Sequence, residues 1–530
     1  MKKRYAMKKL PIGMQTFEKL IQGNFLYVDK TEQIFHLISQ GGGYFFLSRP
    51  RRFGKSLLIS TLKDIFSGHQ ELFKGLFIYD KIEWTAYPVI HLDFLVIPRD
   101  TEERLKQGIR DVLEDIAAQH KVELKRPDYD SAFRELIAKL AEKYQQPVVV
   151  LIDEYDKPIV EHIENLEAAQ KNRTILRNFY EILKGSDQHL NFVFLTGVSK
   201  FSKVSIFSSL NNLQDITFSP RFATIAGYTQ DELETCFEPY IDQLREEQQR
   251  SRADVLAQIK SWYNGYSWNA KDRVYNPFSI LNLFADNIFD NYWFATGTPT
   301  LLIELAKQKK IDITEFERAR VSKILFERYD IENIDLLTLL MQTGYLTITA
   351  VEHKQERLYY VLGYPNQEVK HAFVTYLFEA FTTNRMQETH LAAEDLREAL
   401  LEENLERFMN IIRSLFAKIP YTLHIEAEAY YHSLFYMILA LMGVEIDLEV
   451  LTDKGRIDGI LECDERVWLI EFKYGSAGTT METLTRKAIR QIRKKHYAER
   501  FLNDSRKCLL LGVGFVEKEI GYTLKTGLTD

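Results

Sequence analysis

Two groups of residues in this chain have the types and spacing to do chemistry. The first is Phe46-Leu47-Ser48-Arg49-Pro50-Arg51-Arg52-Phe53-Gly54-Lys55-Ser56. An apolar run, Tyr44 to Leu47, enters it, and an apolar run compatible with a helix, Ser56 to Phe66, leaves it. Gly54-Lys55-Ser56 has the form of the end of a phosphate-binding loop. Glycine lets backbone N–H groups approach phosphate, lysine reaches the β and γ oxygens, and the hydroxyl binds Mg²⁺. The first glycine of the fuller pattern would fall at position 49, which is Arg. Further on, Val148-Val149-Val150-Leu151-Ile152 reads as a strand buried on both faces, and it ends in Asp153-Glu154. Acids at the carboxyl end of such a strand lie where open α/β sheets bind ligands. Asp153 is expected to hold Mg²⁺, and Glu154 to orient or deprotonate the attacking water. A third apolar run, Phe192 to Leu195, leads into Thr196 and Ser199. Either hydroxyl can sense a γ-phosphate, or simply belong to a strand-to-loop turn.

The second group lies near the C-terminus. Glu428 sits on a helix-like segment, and Gly455-Arg456-Ile457-Asp458-Gly459-Ile460 puts Asp458 on or beside a strand. Trp468-Leu469-Ile470-Glu471-Phe472-Lys473 alternates, so Ile470 and Phe472 should face the core while Glu471 and Lys473 share the other face. Gln491 falls in a basic amphipathic helix containing Arg490, Arg493, Lys494 and Lys495. Asp458 and Glu471 offer hard oxygen ligands for Mg²⁺ or Mn²⁺, with Glu428 able to complete the shell. Lys473 would position water or stabilise charge developing on a phosphate, and the basic helix would meet a phosphate backbone. A Glu-x-Lys alone is common on a half-exposed hairpin. The upstream Asp458 and the flanking helices turn the reading toward a metal site.

These groups need two positioning scaffolds. Apolar runs alternate with helix-like segments through residue 225, the rhythm of a parallel P-loop sheet. That makes residues 1–225 the first expected domain. Over 226–375 the pattern is mainly helical. Thr229 or Gln230 precedes an acidic helix start, aromatics cluster from Trp262 to Trp268 and from Tyr292 to Phe294, and a helix at Leu336 to Met341 enters a hairpin, as in a winged-helix lid. Residues 376–530 are expected to hold a helical linker and a C-terminal α/β domain.

Composition limits the class. The 530 residues carry a formal charge of −7, so no global basic character marks a nucleic-acid binder, although a local basic groove is compatible with it. Cys236, Cys463 and Cys508 are too widely separated for a metal knuckle or a disulfide framework, which fits a reducing cytosol. The basic start, Met1 to Lys9, lacks the apolar core of a signal peptide. The apolar stretch near Leu434 to Val444 is too short to span a bilayer. A cytoplasmic protein without membrane partners is expected.

Together the motifs resemble a bacterial family of AAA-ATPase-like proteins that end in a PD-(D/E)XK nuclease-like domain. The resemblance rests on Leu10 to Gly13, Tyr27 to Thr31, Phe46 to Ser56, Leu151 to Lys157, Leu195 to Lys200, Tyr275 to Ser279, Gly363 to Asn366 and Gly455 to Lys473. Arg49 in place of the loop glycine resembles the family's own version. The resemblance implies an ATP-binding P-loop domain, a helical lid and a restriction-like nuclease fold. The resulting expectation is an ATP- and Mg²⁺-dependent, self-associating ATPase that controls a metal-dependent phosphodiesterase acting on nucleic acid, DNA ahead of RNA. Arg51, Arg52 or Arg221 would contact phosphate from the same chain or a neighbour. The competing expectations are a nucleotide-dependent switch or scaffold that binds nucleic acid or protein without cutting, and a remodelling ATPase whose terminal domain is a cap.

Overall fold

The computed structural model describes residues 7–39, 43–200, 210–294, 302–303, 305, 316–322, 335–354, 357–381, 386–417, 428–442, 446–452, 455–463, 465–476, 478–501, 504–516 and 519–526. The chain divides into two compact units. One comprises residues 1–298 and 319–368, and the other 299–318 and 369–530.

The first unit is built on five strands: β1 (Gly43–Ser48), β2 (Val89–Asp93), β3 (Val148–Asp153), β4 (Leu190–Gly197) and β5 (Leu213–Asp215), in the order β2-β3-β4-β1-β5. Every pairing is parallel. A parallel sheet covered by helices has no solvated face, which explains the unbroken apolar runs: every residue of β3 is buried, and so are Tyr44 to Ser48 of β1. Phe46, Ile90, Val150 and Leu195 share one core with Leu136, Leu176 and Phe179 from the flanking helices. Those helices are Glu102–Gln119, Tyr129–Tyr144 and Leu166–Gly185, and two of them start at a side chain that accepts from a free N–H group. Thr101 and Asn165 accept from Arg104 N and Ala168 N.

Beyond the sheet, short helices pack around their own core of Leu233, Phe237, Ile241, Ile259 and Phe284. Thr229 opens the first with a reciprocal capping box to Glu232. Helix Leu336–Thr343 does lead into a hairpin, β7 (Thr347–Lys354) and β8 (Arg357–Gly363), joined by β6 (Arg320–Ser322).

In the second unit, β9 (Ile446–Thr452), β10 (Gly455–Cys463), β11 (Arg466–Gly475), β12 (Lys507–Val516) and β13 (Glu519–Thr526) form a mixed sheet in the order β13-β12-β11-β10-β9. Only β11 and β12 run parallel, and helix Met481–Lys494 makes the crossover between them. The helix passes so close over β12 that a side chain at Gly512 would meet Thr485 O at 2.5 Å. No helix among the described residues is long and apolar enough to cross a membrane.

Candidate active sites

The first site forms at the carboxyl end of the parallel sheet. Gly54, with φ of +86°, caps helix Lys55–Phe66, a backbone state that favours glycine. A cleft of about 390 Å³ opens here, lined among others by Arg51, Arg52, Gly54, Lys55, Ser56 and Glu154. Lys55, only 4% exposed, donates from Nζ to Pro50 O at 3.2 Å and lies 3.4 Å from Glu154 Oε1. Asp153 is buried at the end of β3 beside its register partner Asp93 on β2. Burial pushes the Asp153 carboxyl up to about 6; Glu154 and Asp93 add to this, while a hydrogen bond from Ser56 and the charge of Lys55 oppose it. Asp93 is raised in the same way, by burial and then by Glu154, against a hydrogen bond from Leu95 N. Three acids thus lie close together at the ends of β2 and β3, with Asp93 and Glu154 lining the cleft, and their repulsion is what a divalent cation would relieve. Asp153, with Ser56, could hold it. The described residues contain no ready-made group of three His, Cys, Asp or Glu arranged around a metal.

Arg49 takes no place in this cleft. It is fully buried, and its guanidinium donates to the carbonyls of Ser48, Thr217 and Phe222 at 2.9, 3.0 and 3.1 Å. It also lies 3.8 Å over the ring of Trp268. The residue replacing glycine therefore ties down the base of the loop. The aromatic cluster seen in the sequence is part of the same packing: Phe53 meets Tyr266 and Trp268 edge-on, and Trp293 Nε1 donates to Arg51 O at 3.1 Å. Arg52 sits 4.8 Å over Phe278. Arg221 is exposed and does not line the cleft.

β4 lies between β1 and β3, so its carboxyl end abuts both motifs. Thr196 is fully buried, and its hydroxyl has no hydrogen-bond partner among the described residues. Ser199 is already engaged: its N–H and hydroxyl donate to Asp156 Oδ2 at 2.7 and 2.6 Å. Asp93 was not singled out from sequence, although an acid closing the apolar run Val89 to Leu92 is the same signal that marked Asp153.

The second site forms between β10 and β11. Asp458 Oδ2 accepts from Phe472 N at 2.8 Å. Lys473 Nζ donates to Glu471 Oε1 at 2.9 Å and to Phe472 O at 2.6 Å. The alternation holds, since Phe472 packs on Phe435 and Phe515, but the opposite face is not solvent. Glu471 and Lys473 register with Gly512 and Gly514, the glycines under helix Met481–Lys494, and Glu471 is completely buried. Burial, and then the charge of Asp458, pushes its carboxyl well above the usual range against the pull of Lys473. Oε2 of Glu471 has no partner among the described residues. An unpaired buried carboxylate oxygen beside a second acid fits a metal, and Asp458 and Glu471 are the residues that could hold one. Gln491 is half-buried on the overlying helix, and among the described residues no hydrogen bond joins it to the acids. Arg486, Lys487, Arg490, Lys494 and Lys495 are exposed along that helix. Glu428 begins helix Glu428–Leu441, but its side chain lies outside the described residues.

Residues 11–207 match the family of predicted AAA-ATPases called AAA-ATPase-like, and residues 426–523 match the PD-(D/E)XK nuclease superfamily. The chain is also 36% identical over 523 residues to the "Uncharacterized protein in vnfD 5'region" of Azotobacter chroococcum mcd 1, covering 96% of this chain and 97% of that one. This chain belongs to the AAA-ATPase-like family with a PD-(D/E)XK domain at its C-terminal end. For the AAA-ATPase-like part, the five-stranded parallel sheet and the cleft beside Lys55 fall within or beside the matched range. In the PD-(D/E)XK part, β10, β11 and helix Met481–Lys494 lie inside the match.

Proposed function

We propose that this protein binds and hydrolyses ATP and thereby controls a Mg²⁺-dependent phosphodiesterase that acts on nucleic acid, DNA ahead of RNA, in the cytoplasm and as a homo-oligomer. The observation that carries the reading is the buried Lys55 beside Glu154 in a cleft at the strand ends where Asp93 and Asp153 are register partners. Lys55 would grip the β and γ phosphates, Gly54 would leave its backbone open to them, and Ser56 and Asp153 would hold Mg²⁺. Glu154 would take the proton of the attacking water. Arg51 and Arg52, which line the same cleft, would contact phosphate, and Thr196 at the end of β4 would sense it.

At the second site, Asp458 and Glu471 would hold Mg²⁺ or Mn²⁺, with Glu428 completing the shell. Such a metal supplies Lewis-acid stabilisation of a phosphodiester and lowers the pKa of water. Lys473 would keep its ammonium beside the phosphate under attack, Gln491 would steady the water, and the exposed basic residues of helix Met481–Lys494 would take the backbone.

The test is incubation of purified protein with single- and double-stranded DNA and with RNA, in Mg²⁺ or Mn²⁺, with and without ATP, beside Lys473→Ala and Lys55→Ala. Cleavage lost in the first variant and ATP sensitivity lost in the second are expected. ATP turnover without cleavage under any condition would replace this reading with a nucleotide-dependent switch that binds without cutting.

A further inference from the structure

The run Asp153-Glu154-Tyr155-Asp156-Lys157 ends in a cation with no role in the reading above. Lys157 lines the same cleft as Lys55 and Glu154. Its backbone N–H donates to Glu154 O at 3.0 Å, one tight turn away. Glu154 itself has φ of +51°, a conformation uncommon outside glycine, and both its side chain and that of Lys157 line the cleft. The flanking residues are tied down by hydrogen bonds. Tyr155 OH donates to Ser199 O at 2.8 Å, Asp156 accepts from Ser199, and Asn172 Nδ2 donates to Pro158 O at 2.8 Å.

We propose that Lys157 is a second phosphate-binding cation of the nucleotide site, contacting the γ-phosphate and stabilising its charge during transfer. The inference rests on the ATP reading of the cleft and names what would recognise the terminal phosphate. In hydrolysis, water attacks the γ-phosphorus and gives its proton to Glu154. The bond to the bridging oxygen breaks, and ADP and inorganic phosphate leave. Charge builds on the transferring oxygens, where a cation fixed beforehand lowers the barrier most.

Lys157 Nζ lies 2.7 Å from Glu161 Oε1, four residues on. Glu161 is also held by the Arg99 guanidinium, whose NH2 lies 3.0 Å from Oε1. Releasing Lys157 therefore does not leave Glu161 unpaired, and a partly exposed i,i+4 pair offers little resistance to exchange. The other cations in the cleft, Arg51, Arg52 and Lys55, all come from the loop after β1 and the start of the helix it leads into, whereas Lys157 approaches from the segment after β3.

The test compares wild-type protein with Lys157→Ala and Lys157→Arg, each checked for native circular dichroism. Binding of a fluorescent non-hydrolysable ATP analogue and of fluorescent ADP is measured beside steady-state ATP turnover. The expected result for Lys157→Ala is about a tenfold loss of triphosphate affinity, unchanged ADP affinity and a fall of about 100-fold in kcat. The arginine variant should recover most of both. An alanine variant that keeps its preference for triphosphate and its kcat overturns the proposal, as does equal loss of both nucleotides. Wild-type protein that binds neither nucleotide removes the ATP reading, and this inference with it.

Discussion

The guanidinium of Arg49 lies 3.8 Å above the ring of Trp268, while its nitrogens hold three backbone carbonyls. Restoring the glycine of the standard loop should therefore harm the protein. Arg49→Gly leaves the carbonyls of Thr217 and Phe222 without this donor in the interior, a loss of about 3–5 kcal/mol. Lysine offers no planar fork and should not rescue it. Urea denaturation followed by tryptophan fluorescence checks both variants; an Arg49→Gly midpoint equal to wild type would contradict the assignment.

Gly265 offers a second test of packing. Its φ is +123°, and a β-carbon there would come within 1.9 Å of Pro365 O. Gly265→Ala must displace backbone, and a loss of about 3 kcal/mol or more is expected. Gly75 has φ of +87° with nothing within 4 Å of such an atom. Gly75→Ala should cost only the conformational strain, about 1–2 kcal/mol. Matched denaturation curves separate the two.

Lys473 and Glu471 predict a chemical loss. Lys473→Ala and Glu471→Gln should each lower metal-dependent cleavage by about 100-fold or more while nucleic-acid binding by gel shift stays near wild type. If cleavage persists in both variants, the strand β11 site is not the hydrolytic centre.

Glu368 sets a pH dependence. Its carboxylate accepts from Ser279 Oγ at 3.0 and 2.8 Å and from Trp293 N at 2.7 Å. Burial nevertheless raises it from 4.5 to about 8, with Asp290 adding to the shift and those hydrogen bonds opposing it. A raised acid binds its proton more tightly folded than unfolded. Its contribution to stability is thus full below about 4.5, declines as pH rises through the window to about 8, and is then flat. Glu368→Gln removes that slope, so the variant should gain on wild type between pH 6 and pH 9 in urea midpoint. Parallel midpoints across that range would refute it.

Much of this was legible in the sequence, because β1, β3 and β4 are unbroken apolar runs and their motifs sit at the strand ends. Glu471 and Lys473 shared a face by alternation, and Asp458 was placed on or beside a strand by the run Gly455 to Ile460. Local pattern could not show that the Glu471 face is covered, since that depends on pairing with Gly512 and on the close approach of Thr485. It could not place Arg49 either, whose partners Thr217, Phe222 and Trp268 are remote in the chain. Lys157 was hidden for another reason: a lysine after an acidic run looks like solvated surface until the turn at Glu154 is seen. Asp93 carries a weaker form of the signal at Asp153, because His91 interrupts its apolar run.

The division of the chain has a consequence for how the two halves can be inherited or engineered. Each unit is stitched from two stretches: residues 299–318 of one interrupt the other, and 319–368 return to it. No single stop codon can therefore release either unit whole. Truncation after 298 discards Gly344, against which Pro50 packs, as well as Glu368. Truncation after 368 leaves 299–318 without the rest of their unit. Gene fusion or shuffling that exchanges the second unit would have to move residues 299–318 together with 369–530.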